Sequence, residues 1–481
     1  MSKVTKVLEM EVPYMQQLPS KIAPANIMDR TDTLVFYRAI ASHPAFRLLR
    51  TCLEKAGESQ AGETQGGDTQ AGKAPSAAGL YTAFLHELAS AKVTAGLPGQ
   101  AWQKLLLHLI LFDENPFTLA CERKAAAAEL FPAVAHDLHI LADWYLLDFT
   151  SLEPAEPALM PAVKPWEEER LCAADPLFAE VVTTAAQAAA WRDGRLAAIL
   201  AAFHQRWGSG RMAAYAAFRW QDGHLLGIPQ PDPIRLEHLH SYEAERQVVL
   251  KNTERFLSGL PADNILLYGD RGTGKSATVK ALLWRYAAAG LRLVELPDRH
   301  LSDIWQVFSL LSERGHKFLL FIDDLSFEAG DTGYKPLKAA LEGSLAARPA
   351  NVLVYATSNR RHLIRELASD RSGAETTGGA RRLSEEDMRP ADTVHEKLSL
   401  SDRFARTVIF PTPDQEEFLT IVRQMAARFH LNLAEERLRE RALQWALWHN
   451  GRTPRAARQF IDDLRAELAE LGQVGETEVP R

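Results

Sequence analysis

The apolar run Ile265-Leu266-Leu267-Tyr268 passes without a gap into Gly269-Asp270-Arg271-Gly272-Thr273-Gly274-Lys275-Ser276, and no other stretch restricts the chain as much. The run reads as a short buried strand, and Ala277 to Ala288 behind the loop has helical spacing. A glycine-rich turn between strand and helix lets backbone N–H groups curl around an anion, and the helix adds its positive dipole end. Lys275 supplies a full positive charge, and Ser276 supplies a hydroxyl of the kind that ligates Mg²⁺. The pattern predicts a nucleoside triphosphate cradle formed by Gly269, Asp270, Arg271, Gly272, Thr273, Gly274, Lys275, Ser276 and Ala277, with Ser276 on the metal.

At 481 residues the chain is too long for one ordinary core and suggests two to four domains. Its 46% hydrophobic and 24% charged residues are those of a globular protein. A net charge of −7 gives no general pull toward nucleic acid or anionic lipid. The start, Met1 to Lys6, leads into Glu9 and Glu11 rather than an apolar segment, so no secretory signal is expected. The longest apolar stretches, such as Leu105 to Phe112, fall short of a membrane span. Three scattered cysteines, Cys52, Cys121 and Cys172, suit a reducing compartment. A cytoplasmic protein without membrane association is expected.

Residues 56–79 lack Val, Ile, Leu, Met and aromatics and repeat a rough five-residue unit, which predicts a disordered insert. The first 200 residues otherwise read as mostly helical, up to glycines 208, 210, 223 and 227 and a linker marked by Pro229, Pro231 and Pro233. Beyond it, short apolar runs at 264–268, 292–296, 318–322, 352–356 and 407–410 alternate with helical patterns, the signature of a parallel sheet covered by helices. Three helical patterns close the chain, beginning near Pro413, Glu435 and Thr453. The expected domains are a mostly helical 1–228, a nucleotide-binding α/β domain 229–413 and a helical lid 414–475.

Phe318 to Ile322 reads as a strand that delivers Asp323 and Asp324 at its C-terminal end, where ligands sit in open α/β sheets. Asp323 is the candidate Mg²⁺ partner beside Ser276, and Asp324 the group to orient or deprotonate an attacking water. The next strand ends Thr357-Ser358-Asn359, where Asn359 can bond a γ-phosphate or cap a helix. Arg403 before the last strand and Arg455 at the start of the final helix are candidates for stabilising charge in phosphoryl transfer. Tyr242, ahead of the loop, stacks on a base or fills the core.

The order of phosphate loop, Asp-Asp strand, Thr-Ser-Asn strand, Ser401-Asp402-Arg403-Phe404 and Gly451-Arg452-Thr453-Pro454-Arg455 resembles an AAA+ ATPase. The segments Phe321 to Glu328, Ala356 to Leu363 and Lys397 to Phe404 resemble, more closely, the prokaryotic family catalogued as domain of unknown function 815, over roughly residues 185 to 470. The resemblance implies an α/β P-loop NTPase with a parallel five-stranded sheet and a helical lid, following a mostly helical N-terminal domain. It makes Lys275 and Ser276 the Walker A contacts, Asp323 and Asp324 the Walker B pair, Asn359 the first sensor, Arg403 the arginine finger and Arg455 the second sensor, with Arg406 and Arg458 as alternatives. The usual catalytic Glu is here Asp324, one methylene shorter, and a displacement of about 1 Å costs on the order of a hundredfold in rate. Glu328 is the other carboxylate close by.

The expectation is an ATP-binding protein that hydrolyses ATP with Mg²⁺ to ADP, slowly if Asp324 is poorly placed, and drives conformational change on an unidentified macromolecular partner, a protein in preference to a nucleic acid. A homo-oligomer sharing the nucleotide site through Arg403 is expected. The alternative is a slow ATP-dependent switch or binding module. A small-molecule kinase fits the paired sensors less well. Two further segments, the polar stretch 368–396 and Arg360-Arg361-His362, read as a long loop and a charge run.

Overall fold

The computed structural model describes residues 27, 30–61, 76–125, 127–149, 162–325, 334–342, 348–359, 403–431, 433–449 and 451–470. They fall into two compact units, Met1–Tyr215 and Ala216–Arg481. Glu328, the 360–362 charge run and the 368–396 loop lie outside the described residues.

The first unit is built from helices α1 (Pro44–Ala61), α2 (Ala77–Ser90), α3 (Ala101–Leu111), α4 (Pro116–Glu122), α5 (Phe131–Tyr145), α6 (Pro176–Ala185) and α7 (Arg195–Trp207). Strands β1 (Lys92–Thr94) and β2 (Trp166–Glu168) add a small parallel pair. A single apolar core runs through the unit, with Phe46, Phe84, Trp102, Trp144 and Trp191 at its centre. Two of its buried indoles find backbone acceptors: Trp102 Nε1 donates to the Trp144 carbonyl at 2.8 Å, and Trp191 Nε1 to the Ala185 carbonyl at 2.9 Å. Both edges of the expected 56–79 insert are helical, because α1 runs to Ala61 and α2 begins at Ala77. Lys55, Glu58, Gln60 and Ala61 are good helix formers, and Ser76 caps α2 by accepting from Gly79 N at 3.2 Å. The repeat at 62–75 lies outside the described residues.

The second unit opens with β3 (Ala217–Gln221) and β4 (His224–Gly227), then α8 (Glu243–Leu257), β5 (Ile265–Gly269), α9 (Lys275–Tyr286), β6 (Leu291–Glu295), α10 (Ile304–Ser312), β7 (Lys317–Ile322), α11 (Tyr334–Glu342), β8 (Val352–Asn359) and β9 (Arg406–Phe410). The strands form one sheet in the order β4-β3-β6-β7-β8-β5-β9. Strands β5 to β9 are the five expected parallel strands, and the apolar runs predict them because a parallel sheet is buried on both faces.

The sheet has seven strands rather than five. The β3–β4 hairpin extends it, with β3 parallel to β6. It sits among the glycines expected to break structure, yet Asp222-Gly223 is a two-residue turn with both φ angles positive, +48° and +80°. An Asp-Gly pair favours a hairpin turn of this type. The boundary between units therefore lies at Tyr215/Ala216, ahead of the hairpin, and not at the proline-rich 229–233.

Helices α12 (Gln415–Arg428), α13 (Glu435–Trp448) and α14 (Pro454–Glu470) follow and enclose an apolar core of their own, centred on Phe418, Val422, Ala442, Phe460 and Leu464. Asp414 starts this layer through a capping box: its carboxylate accepts from Glu417 N at 2.8 Å and the Glu417 carboxylate accepts from Asp414 N at 2.9 Å. Among the described residues no helix is long and apolar enough to cross a membrane. All three cysteines are buried and none is in a disulfide.

Candidate functional site

Register explains why distant residues meet. Strand β8 lies between β7 and β5, pairing Ile322 with Ala356 and Gly269 with Asn359. The last three residues of β8 therefore extend past the end of β7 and run beside the end of β5. Asp323, Asp324, Thr357, Asn359 and the loop after Gly269 are thus gathered at the C-terminal edge of the sheet, where α/β folds bind ligands.

The loop is shaped by close backbone approach. A Cβ on Gly269 would lie 2.0 Å from the carbonyl oxygen of Phe410, so only glycine fits. Gly274, with φ +94°, turns the chain into α9. The start of α14 abuts the loop: Arg455 N donates to the Gly272 carbonyl at 3.2 Å.

Lys275 is 6% exposed. Its Nζ donates to the carbonyls of Gly269 and Asp270, both at 2.8 Å, and to Asn359 Oδ1 at 3.3 Å. Burial holds its pKa below the usual lysine value, against the opposing pull of Asp324, Asp270 and Asp323. Ser276 Oγ donates to Asp323 Oδ1 at 2.6 Å, and Thr357 Oγ1 donates to the same oxygen at 2.6 Å. Asn359 turns its Nδ2 to the Asp324 carboxylate, so one side chain bridges Lys275 and Asp324. The Arg271 guanidinium stands 3.8 Å from the same carboxylate.

These groups line a cavity of about 640 Å³ that also takes in Ile234, His238, His240, Tyr242 and Arg246 on one side and Met425, Arg455 and Arg458 on the other. The volume lies within the range of small-molecule sites. Arg271 to Ser276, Ala277, Asp323, Asp324, Asn359 and Arg455 all reach it, whereas Gly269 and Asp270 serve through their backbone. Arg458 reaches it too, but is paired with Asp462 at 2.9 Å and stacked over Phe429. Arg455 has no acidic partner among the described residues. Tyr242 is anchored, its hydroxyl donating to the Pro411 carbonyl at 2.6 Å and its ring 5.2 Å from that of Phe410.

The structure does not bring Arg403 to this cavity. It is exposed and precedes β9, at the end of the strand opposite Phe410, which pairs with Gly269. Arg406 sits at that far end as well, in an ion pair with Asp263 at 3.1 Å. Reading the sequence missed Thr357, His238, His240 and Arg246 as cavity residues. Only the strand register places Thr357 beside both carboxylates, and the others lie in a segment without a motif.

A magnesium ion shared with phosphates needs only one or two protein oxygens. The Ser276 hydroxyl and Asp323 carboxylate, already within hydrogen-bond distance of each other, are hard oxygen donors of the right kind.

Comparison with known proteins gives little beyond the family. Thermotoga maritima RuvB, the Holliday junction branch migration motor, is 19% identical across 50% of this chain and 67% of its own, with a TM-score of 0.32. A mutant of that RuvB gives 16% identity, 50% and 68% coverage and a TM-score of 0.34. No curated protein matches the chain. The profile of the family described as protein of unknown function (DUF815) matches residues 213–468, more than half of the chain, and the chain belongs to that family.

Proposed function

We propose that the second unit is an AAA+ module that binds ATP with Mg²⁺ and hydrolyses it, and that the energy moves α12–α14 against the sheet. The observation that carries this reading is the convergence of Lys275, Ser276, Asp323, Asp324, Asn359 and Arg455 on one cavity beside a glycine-shaped loop. Lys275 would exchange its bonds to the Gly269 and Asp270 carbonyls for phosphate oxygens, which return charge to charge. Ser276 and Asp323 would hold the metal, which neutralises phosphate charge when bound. Asp324 Oδ would accept the proton of the attacking water, with Asn359 fixing that carboxylate. Arg455, next to the loop backbone, would sense the γ-phosphate and report it to α14. Arg403, away from its own cavity, would complete a neighbouring copy's site in a homo-oligomer. A cytoplasmic location and an unidentified protein partner complete the reading.

One observation favours the slower alternative, a switch with little turnover. The Asp324 carboxylate is already engaged by Asn359 through one oxygen and faces Arg271 with the other, so an attacking water has to compete for it. Phosphate release from ATP by the wild type, at several protein concentrations and beside Asp324→Asn and Arg403→Ala, tests both readings. Hydrolysis that rises per chain with concentration and falls in both variants supports the shared ATPase. Tight ATP retention with negligible release supports the switch, and hydrolysis undiminished by Asp324→Asn contradicts the assigned base.

A further inference from the structure

We propose that Thr357 is a positioning residue that sets the two carboxylates, holding Asp323 for the metal and fixing the backbone turn that aims Asp324. The proposal rests on the reading of the cavity as a magnesium–nucleotide site.

Thr357 is 1% exposed. A buried hydroxyl must be satisfied, and this one is used in both senses: it donates to Asp323 Oδ1 at 2.6 Å and accepts from Asp324 N at 2.9 Å. Two further bonds fasten the same turn. Leu325 N donates to the Thr357 carbonyl at 2.7 Å, and Ser358 Oγ donates to the Leu325 carbonyl at 2.8 Å. The overhang of β8 therefore grips every residue from Asp323 to Leu325.

Two consequences follow from where the hydroxyl sits. Ser276 and Thr357 both donate to Oδ1 of Asp323, leaving Oδ2 without a protein donor among the described residues. A serine hydroxyl has one donor and two lone pairs, so Ser276 can offer a lone pair to a metal and still donate to Asp323. Thr357 supplies the second donor from a fixed place in the strand between β7 and β5. It would hold Asp323 in one orientation with and without the ion.

Asp324 is the other consequence. Its φ is +54°, in the left-handed region that residues other than glycine seldom enter, and Asp is among those that tolerate it best. The bond from Asp324 N to Thr357 Oγ1 is made in that conformation. The turn thus accounts for an aspartate where AAA+ proteins usually carry glutamate: the backbone that Thr357 fixes suits the shorter acid. An ordinary buried threonine in a strand would need neither bond, and its loss would affect stability without affecting metal dependence.

The test is binding of ATP carrying an N-methylanthraniloyl fluorophore, titrated with and without Mg²⁺, together with Mn²⁺ binding followed by electron paramagnetic resonance. Partners that orient a metal ligand are typically worth 10- to 100-fold in metal affinity. Thr357→Val is expected to weaken Mn²⁺ binding and the Mg²⁺-dependent gain in nucleotide affinity about tenfold, leave affinity in EDTA unchanged, and be rescued by Thr357→Ser. Should Thr357→Val not fold, Thr357→Ala serves with the same expectation. Metal dependence unchanged in a folded Val or Ala variant, affinity in EDTA lowered equally, or a Ser variant as weak as Val would overturn the proposal. A folded wild type that binds no labelled ATP would instead remove the underlying site.

Discussion

Polar side chains do different work in the two units. In the helical unit Asp137 is fully buried and accepts from Val35 N at 2.9 Å, Phe36 N at 2.7 Å and Tyr37 N at 3.1 Å. Glu122 accepts from both the amide and the hydroxyl of Ser209 at 2.9 Å. These carboxylates tie down backbone that would otherwise be orphaned, and no ligand could replace them. At the sheet edge, Ser276, Asp323, Thr357, Asn359 and Asp324 bond chiefly to one another beside an open cavity. Such bonds can be exchanged for those of a ligand. What a polar group is bonded to separates scaffold from site.

Asp137→Ala should have the largest effect on stability. It strands three backbone donors at about 1–3 kcal/mol each, a loss of about 4 kcal/mol by urea unfolding, with ATP affinity unchanged. An equal loss of affinity would erase the contrast. Lys275→Ala should do the reverse, weakening ATP binding on the order of a hundredfold, about 3 kcal/mol, with stability altered by less than about 1 kcal/mol. Unfolding of that variant would make Lys275 part of the scaffold.

Acid should sharpen the same contrast. Burial pushes His204 down to about 4 and His108 down to about 3. Both are neutral in the fold and must be charged to follow the unfolded chain, so the helical unit should hold constant stability above pH 6.5. That stability is lost as pH falls toward 4 and then 3, by about 3 kcal/mol for His204 alone. Hydrogen exchange in 195–207 against pH reads this directly. Flat protection from pH 7 to pH 4 would show that the ring is solvated.

Smaller effects belong to exposed groups. Asp324→Glu, although it installs the usual residue, should slow ATP turnover about twofold to tenfold, because the left-handed backbone disfavours it; faster turnover would show the shorter acid to be a defect. Arg406→Ala should cost under about 1 kcal/mol, since its pair with Asp263 is solvent-screened, and should leave hydrolysis intact. A collapse of activity there would exchange the roles of Arg403 and Arg406.

How much could be read beforehand depended on range. Strands β5, β7 and β8 stand out as apolar runs and are buried along almost their whole length, while β9 at the sheet edge is largely exposed; the loop from Gly269 to Ser276 declares itself because local backbone geometry demands those residues. The Asp222-Gly223 hairpin was equally local, but was overshadowed by the neighbouring glycines. The pairing of Arg458 with Asp462 is also legible, since Asp462 stands one turn beyond it. Thr357 was not legible: nothing near it in sequence says that β8 overruns β7, and only that register turns an unremarkable strand threonine into a clamp. Arg403 illustrates the converse, a motif residue that does not line the cavity of its own chain.

The most direct measurement is titration calorimetry of the wild type with ATP, with and without Mg²⁺, beside Lys275→Ala. Saturable binding of one nucleotide per chain, strengthened by Mg²⁺ and lost in the variant, is the predicted result. Absence of saturable heat from folded wild type, or binding that survives loss of Lys275, would contradict the site.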